Sequence, residues 1–477
     1  MKPQTPPMDA LELFQAHFDQ LLNPDHPLVT LANQIDWEAF DRQFGEYYCE
    51  DNGAPAKSTR LMVGLHYLKH TYNESDESVV ARWVENPYWQ YFCGYTHMQH
   101  EGPIHPTSMT KWRQRIGVKV EGSDSDHSDS GSSGGSGDSG GLLELLTQTI
   151  ELAVEHKHIS ERELKQVNVD TTVQEKNITH PTDSKLLYKA IVKLGVAAKD
   201  RGIPLRQSYV RVGKRASVKA GRYAHARQFR RMRRELRKLR TWVGRMIRDI
   251  ERKTGAPGSR DQALTTLLVR CQRLVDQKPT DSNKLYSLHE PEVRCISKGK
   301  AHKRYEFGQK VALATTNRGN WFVGALLCEG NPYDGHTLDA TLEQVESNTG
   351  VALSDVYVDK GYRGHDYRGE AQVHLAGSGG KRLTRAQRKR RKRRSAIEPK
   401  IGHAKHDNRM TRCYLKGIEG DATNAILAAA GANLRKLLRL LPCAGRIGLL
   451  TRLRRRIHDA IHQSTRRCTF GSLIPAA

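Results

Sequence analysis

The chain has 477 residues, enough for two to four domains and a sizeable core. Its formal net charge of +25, from 77 Lys and Arg against 52 Asp and Glu, attracts a polyanion: DNA, RNA or an acidic membrane. No run of ~18 apolar residues is present to span a bilayer, and the N-terminus has no signal-peptide apolar stretch, so a membrane is the weakest of the three. Eight cysteines without a single CxxC pair argue against a zinc ribbon, a redox motif or a disulfide framework. They read as reduced thiols in packing positions.

Residues 1–121 predict a compact helical unit. Leu61, Leu65, Leu68 and Tyr72 share one helical face, and Asp76 is placed to cap a second helix bearing Val79, Val80 and Trp83. Pro87 stops that helix, and Tyr88, Trp89, Tyr91 and Phe92 supply core. A last short helix from Ser108 to Ile116 carries Lys111, Arg113 and Arg115 as candidate DNA contacts. Short helices with a basic final one suit a helix-turn-helix-like module, and a plain bundle with a solvated basic face is the competing reading. Residues 122–141 are nearly all Gly, Ser and Asp and predict a flexible linker.

From 142 the pattern changes. An amphipathic helix (LLELLTQTIELAVEHKH) precedes a short strand in KQVNVDTTV, residues 165–173, and a helix over 183–200, where Thr182 or Asp183 starts the helix and His180 is given only a local role. A long basic stretch over about 221–278 follows, with Phe229, Met232, Leu236, Leu239, Val243, Met246 and Ile250 as one apolar stripe. Two strands, 305–316 and 320–330, flank Asn317-Arg318-Gly319, a hairpin signal. A helix over 336–350, strands at SDVYVDKGY and 372–376, a polybasic run over 381–394 and a helix from Ile397 complete an α/β layer with a mixed sheet. Beyond it, Asn424 and Asn433 are expected to bond structurally beside Leu427 and Leu434, and the tail over 446–477 is again basic.

Two acids sit at or just beyond the ends of predicted strands, Asp170 in VNVDTT and Asp359 in VYVDKGY. Strand ends in an α/β sheet open onto the crevice where ligands bind. A third acid, Glu398, opens a helix in basic surroundings. Three carboxylates converging from separate elements are hard oxygen ligands for Mg²⁺ or Mn²⁺. Two such ions ~3.5–4 Å apart activate a water or a 3′-hydroxyl and stabilise the departing oxygen at a phosphodiester. Singly, each acid reads as a turn or cap residue. The order Asp, Asp, Glu, two on strands and one on a helix, is the layout of an RNase H-like nuclease core. His403 and His406, beside Glu398, read as solvated surface residues.

VNVDTTVQEKNITHPTDSKLLYKA (167–190), the basic stretch ending KAGRYAHARQFRRMRRELRKLRT, VYVDKGYRGHDY and IEPKIGHAKHDNRMTRCYLKG together resemble bacterial insertion-sequence transposases of the IS5 family, within the IS4-like DDE group. ARWVENPYWQYFCGY and HPTSMTKWRQRIG resemble that family's helical N-terminal domain. The group's glutamate signature, Tyr-x₂-Arg-x₃-Glu-x₆-Lys, is met by Arg394, Glu398 and Lys405, whereas Arg391 stands at the Tyr position.

The resemblance implies a DDE transposase with an RNase H-like catalytic domain over 142–445, interrupted by a basic helical insertion over about 205–284. Asp170, Asp359 and Glu398 would hold two Mg²⁺ or Mn²⁺ ions. Arg394 and Lys405 would contact phosphate near the cut, and Arg230, Arg231 and Arg234 would bind DNA in the insertion. The substrate would be double-stranded DNA, both terminal inverted repeats and target, held by a homodimer on paired ends in the bacterial cytoplasm at the nucleoid. Two other readings stay open: an RNase H-like nuclease without strand transfer, and a non-enzymatic DNA-binding protein descended from a transposase. Recognition of inverted-repeat ends separates the first from a transposase, and an intact acid triad argues against the second.

Overall fold

The computed structural model describes residues 16–49, 55–117, 141–255, 260–297, 304–377 and 383–441. The expected linker, apart from Gly141, lies outside the described residues, as do the start of the polybasic run and the basic tail. Seven helices come first: α1 (Phe18–Leu21), α2 (Pro27–Gln34), α3 (Trp37–Gly45), α4 (Thr59–Tyr72), α5 (Asp76–Glu85), α6 (Pro87–Phe92) and α7 (Pro106–Ile116). Ser75, not Asp76, caps α5, through a capping box with Ser78. Pro87 ends α5 and also opens α6 at its first turn, where a missing N–H costs nothing.

Asp76 instead lies half-buried against two cations, Lys69 at 2.8 Å and Arg113 at 2.6 Å. The basic face expected of α7 therefore loses Arg113, which is 5% exposed and forks both guanidinium nitrogens onto Asp76. An unpaired carboxylate inside this bundle would cost several kcal/mol, so the Arg is committed inward. Lys111 and Arg115 stay exposed, Arg115 over the Tyr48 ring at 4.8 Å.

After α8 (Leu143–Glu155) and α9 (Glu161–Leu164) comes β1 (Gln166–Lys176), followed by α10 (Asp183–Asp200), α11 (Val210–His225), α12 (Phe229–Thr254) and α13 (Gln262–Asp276). Thr182 caps α10, as its sequence predicts. The basic stretch is broken, with Arg227 at φ 55° turning the chain between α11 and α12. The apolar stripe of α12 is buried only from Leu239 onward, while Phe229 is 51% exposed and Met232 and Leu236 are half-buried. Leu239, Val243, Met246 and Ile250 pack with α10 and α13 into an apolar cluster of their own, separate from the main core.

The remaining elements are β2 (Arg294–Ser297), β3 (Tyr305–Thr316), β4 (Phe322–Cys328), α14 (Leu338–Thr349), β5 (Asp355–Val358), β6 (Gln372–Leu375), α15 (Arg385–Arg393), α16 (Ile397–Asp407), β7 (Arg412–Cys413) and α17 (Gly417–Leu440). Among the described residues the strands form one mixed sheet in the order β2-β3-β1-β5-β6, with β4 also on β3 and β7 also on β1. β1 is antiparallel to β3 and parallel to β5 and β7. It is covered on both faces, which explains its apolar run around Asp170.

One apolar core joins the sheet to α4, α8 and α17 and continues through the N-terminal helices. α17 is apolar nearly all round because it lies inside that core. It passes so close to α4 that a Cβ on Gly431 would meet the His70 backbone at 2.7 Å. Asn424 and Asn433 bond inside the core, to Gln174 and to the Phe322 backbone respectively. Cys93, Cys271, Cys328 and Cys413 are free and buried.

Candidate active site

β1 and β5 pair in parallel with Asn168 opposite Tyr357. Asp170 and Asp359 each lie two residues beyond that last pair, and the Asp359 charge acts on the Asp170 carboxyl. Asp359 is the first residue past β5 and caps a short 3₁₀ turn (Lys360–Tyr362), accepting the Gly361 N–H at 2.8 Å. Asp170 does not end its strand, because β1 runs on to Lys176 along β3. What ends near Asp170 is the pairing with β5. Among the described residues, the β5 side of β1 has no strand neighbour from Val169 to Gln174, until β7 takes up Glu175 and Lys176.

Burial first, and the Asp359 charge second, push the Asp170 carboxyl up to about 6; its bond from the Thr171 N–H and the charge of Arg394 act the other way. Two repelling carboxylates in a half-buried notch make a site that favours a cation.

Glu398 sits in the first turn of α16, exposed, with one oxygen on the Arg394 guanidinium at 3.0 Å. Its helix is held to the sheet by asparagines. Asn317 donates to Asn168 Oδ1 at 2.7 Å and to the Arg390 carbonyl at 3.1 Å, and Asn320 donates to the Ala396 carbonyl at 2.8 Å. Lys405, one turn after the buried Ile401, does not point at solvent. Its ammonium donates to the Val173 carbonyl at 2.8 Å, on the uncovered edge of β1. Arg391, at the signature's Tyr position, donates to His374 Nδ1 at 3.3 Å, and that ring in turn bonds Asp355 at 2.6 Å. His403 and His406 are exposed, and His403 pairs with Asp407.

The remaining predicted cations lie away from this notch. Arg230, Arg231 and Arg234 are exposed on α12, and Lys111 and Arg115 on α7. Part of the polybasic run forms α15, opened by a Thr384–Gln387 capping box with no residue buried.

Sequence reading missed a fourth acid. Asp334 accepts the Thr171 hydroxyl and the Lys310 ammonium, each at 2.9 Å, and lies close to Gly361 and Asp359. Its only sequence signal is the turn-forming NPYDG, which reads as a loop. Tyr362 is fully buried beneath these acids with its hydroxyl unpartnered; burial, then Asp170, Asp334 and Asp359, drive its phenol far above the usual range.

The donor set fits a divalent cation in type, being carboxylate oxygen throughout. In placement the fit is partial. Among the described residues no three His, Cys, Asp or Glu side chains are gathered closely enough to hold an ion together. The Asp359 charge bears on Asp170, and one oxygen of Glu398 is held by Arg394.

The fold and this notch define a mixed α/β protein with one acid on a central strand and another just past the end of its parallel neighbour. A family model described as "Transposase domain (DUF772)" matches residues 16–115, and one described as "Transposase DDE domain" matches residues 274–434. The chain belongs to the DDE-type transposases, which act on DNA and use divalent metal ions. The second match contains Asp359 and Glu398 and begins well after Asp170. A curated Rhizobium meliloti protein, "Uncharacterized protein ORF8 in nfe locus", is 49% identical over 229 residues, which are 48% of this chain and all of that one. No solved structure matches. Among the described residues no helix is long and apolar enough to cross a membrane.

Proposed function

We propose that this chain is an IS5-type insertion-sequence transposase with an RNase H-like catalytic core, acting on bacterial chromosomal DNA. The observation that carries the reading is the parallel pairing of β1 and β5, since Asp170 and Asp359 both come two residues beyond its last pair, with Glu398 on the neighbouring helix. Asp170 and Asp359 would hold the divalent ions, two Mg²⁺ or Mn²⁺, and Glu398, now bonded to Arg394, would be the third ligand. When bound, such ions lower the pKa of a water or 3′-hydroxyl and offset charge at the phosphodiester. Arg394, once freed from Glu398, and Lys405, once released from the Val173 carbonyl, orient the phosphate next to the cut. No general base with a tuned pKa is needed. The reaction runs first as hydrolysis at the element end, then as attack of the freed 3′-hydroxyl on target DNA. A homodimer brings the two inverted-repeat ends together, with the helical unit 1–121 recognising them.

The test is a strand-transfer assay with a donor carrying paired terminal repeats, Mg²⁺ and a target plasmid. Wild type joins ends to target, and Asp359→Ala and Glu398→Ala each fall to background. Full activity in Asp359→Ala, or cleavage without joining in wild type, overturns the reading.

A further inference from the structure

The α11–α12 hairpin projects from its own base. Leu239 is the first buried α12 residue in the apolar cluster and Leu236 packs at its edge, so the seven residues Phe229–Glu235 stand ahead of it, ~10 Å of helix at 1.5 Å per residue. Small buried residues on α11, Gly213, Ala216 and Ala220, let it pack closely, and the two helices turn over at 226–228. Residues 218–238 contain nine Lys and Arg and one acid, Glu235. Glu235 is buried and taken by Lys238 at 2.7 Å. Arg222, Arg227, Arg230, Arg231, Arg234 and Arg237 are exposed.

Crowding cations at three- and four-residue spacing destabilises a helix, so this arm is built against its own electrostatics. A polyanion removes that cost. At ~100° per residue the arginines of the α12 tip spread over about 160° of its surface, broader than one base-reading face. Gln228, the one amide side chain at the tip, is engaged by Arg231 at 3.1 Å. Wide cationic coverage without amide readers suits phosphate contact that ignores sequence.

We infer that the α11–α12 arm is a sequence-neutral clamp on duplex DNA, separate from the acid notch. On the transposase reading given above, on which this rests, its partner is DNA of unfixed sequence, the target or flanking duplex. Each phosphate that a cation neutralises contributes ~0.9 to the slope of log affinity against log salt.

The experiment uses the full chain and a random-sequence DNA duplex, with anisotropy measured across a salt series. The triple variant R230Q/R231Q/R234Q changes only exposed side chains; it is expected to lower the slope by about 2–3 and the affinity about 10-fold or more. R230K/R231K/R234K keeps the charge and is expected to keep the wild-type slope. An unchanged slope in the Gln variant overturns the inference, as does tighter binding of an RNA duplex of equal length through the same residues. Asp359→Ala, which leaves the arm intact, separates this outcome from the catalytic one. Duplex binding and slope kept in Asp359→Ala, with no strand transfer by wild type, sinks the transposase reading and leaves the clamp. Strand transfer intact with an unchanged slope in the Gln variant sinks the clamp alone.

Discussion

Two of the charged residues on strand β1, Asp170 and Lys176, are opposites. The Lys176 ammonium is buried and fully answered. It reaches Asp421 at 3.0 Å, Glu290 at 3.2 Å and the Gly417 carbonyl at 2.8 Å, one acceptor for each of its three protons. Burial alone would lower its pKa, but Asp421, Cys413 and Glu290 outweigh that and raise it. Asp170 faces another acid, and its carboxyl is pushed up. A buried charge that serves structure brings its counter-charges with it. A site that awaits a ligand leaves one out, and the protein bears the strain until the ligand arrives.

Breaking the answered site has the larger effect. Lys176→Met leaves Asp421 and Glu290 buried without their cation and is expected to cost about 3–5 kcal/mol, read by urea unfolding. A loss under about 1 kcal/mol would mean the cluster is not the closed unit described.

At the unanswered site the sign reverses. Below the unfolded-chain value near 3.8 Asp170 is protonated in both states and costs nothing. As pH rises through about 6 the unfolded chain gives up its proton first, so the folded state loses stability, and the full cost is present above 6. Asp170→Asn is therefore expected to stabilise the metal-free protein at pH 7.5, by at most about 3 kcal/mol, with the gain vanishing below pH ~4. Thermal melts in EDTA at both pH values check this. A variant less stable than wild type at pH 7.5 would sink the idea that the acid pair stores strain.

Much of this notch was legible because chemistry and register share a short string. Val167-Asn168-Val169-Asp170 and Val356-Tyr357-Val358-Asp359 are the same V-x-V-D, paired in phase at Val167–Val356 and Asn168–Tyr357, so each acid follows the last pair by two residues. α10 and the hairpin turn at 317–319 were legible from caps and turn residues for the same local reason. Contacts distant in sequence were not. Arg113 reads as a surface cation until Asp76, 37 residues away, is brought against it. Asp334 carries no pattern that distinguishes it from a turn residue, and its partners Thr171 and Lys310 lie on two other strands. The exposure of Phe229 depends on where α10 and α13 stop covering α12, which periodicity within α12 cannot show.

Arg394 and Glu398 lie between the two extremes, a pair that is made but exposed. Arg-x₃-Glu is the spacing of an ordinary i,i+4 helix pair as well as of a catalytic signature. Glu398 keeps 59% of its side chain in solvent, so screening leaves the bond worth no more than about 0.5 kcal/mol. Arg394→Gln should then change unfolding stability by less than that. It also removes the group that competes with a cation for Glu398, so Mn²⁺ should bind the DNA-free protein about 2-fold more tightly, by the same ~0.5 kcal/mol. Calorimetric titration of Mn²⁺ into both proteins reads the difference. If Arg394→Gln bound Mn²⁺ no better than wild type, the guanidinium would not be holding Glu398 back. The third acid would then have to be brought to Asp170 and Asp359 by movement of α16 itself.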